Sequence, residues 1–357
     1  MALLDHSLYY SGMTERAPRR TRTLGVIALL LGAPVCAELL QAYLDITGDT
    51  FEVLFAVVFF APLYGGAAVL IREVAVRTGR GWPGRLLLAA AFGLAMTSLI
   101  DSSLFTPRSP GIDYWDDIMG STAVGGVSAY ALTTWVMGHV LMSVGAPLAV
   151  VEGLLPEGRG RAWLGPFGIT VLAVLGVAVA VFIHHDPDAG VVEATALDRV
   201  VSVAGVLALV AAAMSPWGRP LTGVAGRSPG RPAWLAVAGF VLMVAFDFVP
   251  ISWAGVVVDW VILGAAVALV VRRSRSPQWN PRHLAALAWG GLLARTTTGF
   301  FSPTPEGVGE TAKLAQSAVF LLLVLGLGVL LWVRTREPEP TRHNDAGDRA
   351  IPTSPPR

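Results

Sequence analysis

The sequence predicts an all-α, polytopic transmembrane helix bundle of about ten spans, with both ends in the cytoplasm. Three observations carry that prediction. The chain of 357 residues is 54% apolar and only 14% charged, against about 25% charged for ordinary soluble domains. Apolar stretches of about 18 residues or more, each long enough to cross a bilayer, recur along it. Arginines crowd alternate connections between those stretches, as the inside loops of membrane proteins require.

Taken in order, the apolar stretches lie at 22–45, 51–71, 85–105, 128–155, 164–184, 197–214, 232–250, 254–271, 283–301 and 313–333. The first 22 residues are polar, are broken by Pro18 and show no cleavable signal peptide, so the first span is expected to act as an uncleaved anchor. Residues 1–21 form a cytoplasmic tail, 22–333 the transmembrane domain and 334–357 a second cytoplasmic tail. Both tails lack apolar periodicity and read as disordered. The seventh and eighth spans are joined by a tight turn around Val249-Pro250-Ile251.

The charges test the count independently. Arg16, Arg19, Arg20 and Arg22 precede the first span; Arg72, Arg77, Arg80 and Arg85 fall between the second and third. Arg159 and Arg161 follow the fourth, Arg219, Arg227 and Arg231 the sixth, and Arg272, Arg273, Arg275 and Arg282 the eighth. The intervening connections hold only Arg108, Arg199 and Lys313, and are acidic instead. Tryptophans 82, 163, 217, 234, 279 and 332 fall at the inner headgroup belt. Lys313 is the single lysine, a bias that suggests a GC-rich bacterial gene; the expected location is a bacterial cytoplasmic (plasma) membrane.

Ionisable groups inside the spans are costly unless paired or hydrated. They are Glu38, Asp101, His139, Asp247, Asp259 and Arg295. At about 1.5 Å per residue, Glu38 and Asp101 lie about 24 Å above their inner helix ends, Asp247 about 22 Å and Arg295 about 20 Å. Asp259 lies about 9 Å below the outer end of a descending helix, and His139 nearer the midplane. One reading makes this layer interfacial, serving packing and orientation. The other makes it an acidic, outward-facing cavity in which Arg295 neutralises one acid and the others bind a proton or cation, since grouped carboxylates favour protonation. Pro34, Pro62 with Tyr64-Gly65-Gly66, and Pro147 predict kinked or loosened helices around it. His139 reads either as an interhelical hydrogen-bonding group or as a proton relay or metal ligand.

Other chemistry finds little support. His184-His185-Asp186-Pro187-Asp188 supplies ligand types a divalent metal accepts, although a solvated turn explains it equally. Asp113-Tyr114-Trp115-Asp116-Asp117 reads as an interfacial re-entrant segment or a binding loop. No HExxH, Gly-x-Ser-x-Gly or phosphate-binding glycine loop occurs, so no catalytic residue and no cofactor is assigned. Cys36 is the one cysteine and reads as a small apolar residue within a helix. The basic loops need no nucleic-acid partner, because inside bias accounts for them. The expected partner is the lipid bilayer.

Tyr64 through Glu73, Gly81-Trp82-Pro83, and Phe92-Gly93-Leu94 through Ser103-Leu104-Phe105 resemble an uncharacterised family of actinobacterial multi-pass membrane proteins. His139 through Pro147 and Glu152-Gly153-Leu154-Leu155-Pro156 resemble the same family. In it, a Glu-Glu pair follows the Gly-Leu of the third helix, and with a downstream histidine this is distantly similar to intramembrane proteases of the CAAX-processing and bacteriocin-processing (CPBP) type. Met96 and Thr97 stand at those positions here, so the resemblance implies a non-catalytic member. Three functional classes follow: a transporter using the acidic layer, a structural or regulatory membrane subunit, and a degenerate intramembrane hydrolase.

Overall fold

Ten long helices dominate the computed structural model, which describes residues 16–106, 114–186 and 194–334. In chain order we label α1 (Arg19–Leu39), α2 (Thr50–Arg77), α3 (Trp82–Ile100), the short α4 (Trp115–Gly120) and α5 (Ala129–Leu154). Then follow α6 (Pro166–His185), α7 (Ala196–Met214), α8 (Pro232–Asp247), α9 (Trp253–Ser274), α10 (Pro281–Thr298) and α11 (Glu310–Arg334). Eight of the long helices are long and apolar enough to cross a membrane on those criteria alone. The other two, α8 with 16 residues and α10 with 18, are shorter or more polar and pack against each other. Their contact is backbone to backbone: a Cβ on Gly239 would sit 2.0 Å from the Leu287 carbonyl, and one on Gly290 2.0 Å from that of Ala236. Small residues allow this approach.

Hydrogen bonds between connections join segments that belong to the same face. On the arginine-rich face, Ala17 N–H donates to Ala162 O (3.2 Å), Gly81 N–H to Gly218 O (2.9 Å) and Val224 N–H to Arg275 O (2.6 Å). On the other face, Gly48 N–H donates to Gln316 Oε1 (2.8 Å), Ser302 Oγ to Gln41 O (2.7 Å) and Tyr130 Oη to Val249 O (3.4 Å). The alternation read from the charges is therefore also an alternation in space. Side chains such as Phe167, Val174 and Phe182 on α6 point away from the protein, leaving that helix with no buried residue. Lipid is the solvent such a surface fits.

Several helix ends differ from the apolar stretches. Arg72 and Arg77 belong to the last turns of α2 and Arg85 to the first turn of α3, not to the loop between them. Trp163 is buried, not in a headgroup belt. The physical reason is common to all four residues: these arginines find carboxylates and carbonyls inside the protein, and Trp163 covers one of them. On the face opposite the arginines, α4 and a short hairpin pairing Ala123–Val124 with Val127–Ser128 cap the bundle. Asp113, Arg108, Pro187, Asp188 and nearly all of both tails lie outside the described residues.

Candidate functional site

Four neighbouring spans widen into π-helical turns: Val35–Leu39 in α1, Ala61–Gly65 in α2, Met96–Ile100 in α3 and His139–Gly145 in α5. Local sequence explains each of them. A proline lacks the donor for a regular turn and crowds the carbonyl four residues back; Pro34, Pro62 and Pro147 sit at or beside three of the segments. In α3 there is no proline. Instead Thr97 Oγ1 donates to Gly93 O (3.0 Å) and Ser98 Oγ to Leu94 O (2.6 Å), side-chain bonds that bend helices. Gly65 permits close approach of α2 to α1, since a Cβ there would lie 2.4 Å from Leu30 Cα and 2.8 Å from Leu30 O. Leu30 O is the carbonyl that Pro34 leaves without its regular donor. Such turns recur at functional sites.

The side chains at this level converge. Glu38 accepts hydrogen bonds from both the Tyr43 and Tyr64 phenols, one on each carboxylate oxygen. The Tyr64 ring stacks on His139 (5.8 Å between centroids, 19° between planes), and Phe92 meets His139 edge-on at 5.9 Å. His139 Nδ1 lies 3.0 Å from Ser143 Oγ, four residues along the same helix. Asp101, just past the α3 π turn, accepts from Ser103 N–H (2.8 Å) and lies within electrostatic range of Glu38, Tyr43 and Tyr64.

The second half of the layer joins the first through residues 38–43. Gln41 Nε2 reaches Thr298 Oγ1 (3.4 Å), and Ala42 turns the chain there with a left-handed φ of 49°. Thr298 Oγ1 donates to Asp247 Oδ2 (2.8 Å), while Arg295 pairs with the other oxygen of that carboxylate. Asp247 is thus neutralised. Asp259 is not: it is 0% exposed and neither of its oxygens has a hydrogen-bond partner. Its electrostatic neighbours are Asp247 and Tyr130. The six intramembrane groups named from the sequence therefore lie in two adjoining clusters, and Tyr43, Tyr64, Gln41 and Thr298 join them unannounced.

The remaining sequence candidates do not assemble. His184 Nδ1 lies 3.1 Å from Ile100 O, and His185 Nδ1 2.9 Å from Val181 O. Among the described residues no group of three metal-ligating side chains occurs; Asp186 stands beside the histidines, and Asp188 is not described. Cys36 is free and half-buried in the α1 π turn. Met96 is buried and the Thr97 hydroxyl is engaged by Gly93, so neither offers a metal ligand or a general base.

Toward the arginine-rich face lies a second polar centre that charge counting misassigned to a loop. Arg72 Nε donates to Glu152 Oε1 (3.0 Å), its Nη1 to Glu73 Oε1 (3.3 Å) and its Nη2 to Gly158 O (2.5 Å). Arg85 Nη1 meets Glu152 Oε2 at 2.6 Å, and Arg77 holds the far oxygen of Glu73 at 3.3 Å. Trp163 N–H closes on Glu73 Oε1 (2.7 Å), and its ring lies 3.6 Å beneath the Arg72 guanidinium. The signal was present: Glu73 and Glu152 are acids at the basic end of their helices. A small crevice of about 20 Å³, room for one water, borders Glu152, Arg159, Trp82 and Trp279.

A protein-family model described as "Uncharacterized membrane protein family" matches residues 26–344. No curated protein and no solved structure matches the chain.

Proposed function

The chain belongs to this uncharacterized membrane protein family, and on that premise we propose that it is a transporter-type protein that binds a proton or small cation in the outer half of its bundle. The observation that carries the reading is the uncompensated acid there. Glu38 is held by two neutral phenols, and Asp259 is buried with no donor at all. Structural acids are answered by cations, as Glu152 is on the opposite face. Acids left without one in a low-dielectric layer take up protons or ions. The four π turns supply main-chain slack around Glu38, and the arginine-rich face is assigned to the cytoplasm of a bacterial plasma membrane.

The purified protein, reconstituted on a solid-supported membrane, is expected to give a transient charge displacement on an outside pH or cation jump. Glu38→Gln and Asp259→Asn are each expected to remove most of it while eluting as wild type on size exclusion. No displacement in the wild type, or an unchanged one in both variants, overturns the reading. A second reading, a structural or regulatory membrane subunit, is favoured by one observation: both carboxylate oxygens of Glu38 and both of Asp247 are already taken by groups of the protein itself. That reading expects the two variants to alter melting temperature and nothing else.

A further inference from the structure

We infer that the groove between the 215–231 connection and the end of α9 binds the phosphate headgroup of an anionic phospholipid from the leaflet on the arginine-rich face. The groove holds about 720 Å³ and is lined by Arg227, Ser228, Ala268, Val271, Arg272 and Arg273, together with Gly226. Its chemistry is divided along its length. Three guanidiniums and a hydroxyl form the end nearest the headgroups. Ala268 and Val271 form the other end, continuous with the outward-facing Val267 and Val261 of α9. A lipid is divided in the same way.

The charges are available. No carboxylate lines the groove, and Arg227 and Arg272 are exposed with no side-chain partner among the described residues. Arg273 gives one bond, from Nη1 to Ser228 O at 3.4 Å, which fixes it against the loop and leaves its other donors free to turn outward. The end of a helix carries partial negative charge that repels an anion. Here that charge is muted by the connection itself: Ser276 N–H bonds Arg273 O (3.1 Å) and Val224 N–H bonds Arg275 O (2.6 Å). Ser276 Oγ also donates to Arg227 O (2.7 Å), so the loop bearing one arginine is tied to the helix bearing the others. Basic pockets of this kind at the inner leaflet recognise anionic lipid headgroups.

The test is native mass spectrometry of the full chain in detergent, titrated with phosphatidylglycerol or phosphatidylcholine, with and without inorganic phosphate. Wild type is expected to hold phosphatidylglycerol about tenfold more tightly than phosphatidylcholine. The double variant Arg227→Gln/Arg272→Gln is expected to lose most of that preference. Arg19→Gln/Arg20→Gln, an equal charge change at exposed residues elsewhere on the face, is expected to keep it. Equal retention of the two lipids, an unaltered double variant, or an equal loss in the Arg19/Arg20 control each overturns the assignment. Competition by millimolar inorganic phosphate that displaces the lipid completely assigns the groove to free phosphate and overturns the lipid as occupant.

Discussion

A guanidinium with no solvent exposure needs its donors met inside the protein, and Arg72 meets that demand with Glu152, Glu73 and the Gly158 and Arg161 carbonyls. Replacing it by alanine leaves Glu152 with Arg85 alone and deprives Glu73 of one of two cations. Breaking a buried pair from one side costs about 3–5 kcal/mol, so Arg72→Ala is expected to melt well below wild type in detergent. Arg72→Lys is expected to recover little of this, because an ammonium cannot fork between Glu152 Oε1 and Gly158 O while lying flat on Trp163. This network was hidden from sequence reasoning for a specific reason. The inside rule counts an arginine equally whether it faces lipid headgroups or is buried, so Arg72 and Arg85 fitted a loop without contradiction. Tyr64 was hidden differently: an aromatic in an apolar run reads as packing, and its partner Glu38 is 26 positions away.

At the scale of the helix, two glycines decide how closely neighbours approach. Gly65→Ala drives a methyl into the Leu30 backbone of α1, and Gly290→Ala drives one into the Ala236 carbonyl. Each is expected to lower the melting temperature and the yield of monodisperse protein, at a cost of about 1–3 kcal/mol for overpacking. Gly326→Ala on α11 meets nothing within 4 Å and is expected to be neutral or slightly stabilising, as alanine favours the helix. The prolines made three of the four π turns legible as loosened helix. The turn in α3 was not, since hydroxyls that bond back to Gly93 and Leu94 leave no mark that separates them from ordinary polar residues in a span.

The whole molecule has two chemically distinct faces, which can be tested from outside. In a Cys36→Ser background, Arg227→Cys and Glu306→Cys place thiols at exposed positions on opposite faces. A membrane-impermeant maleimide added to intact cells is expected to label Glu306→Cys and to reach Arg227→Cys only after lysis. Labelling of both in intact cells, or the reverse order, contradicts the orientation. The bundle architecture was legible because it depends on run length and charge bias, which survive errors of several residues at each boundary. The α8–α10 pair shows the limit of that legibility: its shortness and polarity make sense only once each helix is seen covering the other. The π turns have a consequence for chain length. Each such turn holds one more residue than the α turn it interrupts, so losing one residue there restores a regular helix and leaves the faces on either side as they were. Deleting Leu63 from α2, whose π turn has regular helix on both sides, is therefore expected to leave both halves on their present neighbours, whereas deleting Val57 swings one half by about 100° and leaves little folded protein. The α2 and α5 spans thus carry spare length beside one polar layer, and it is there that this chain can lose a residue and remain itself.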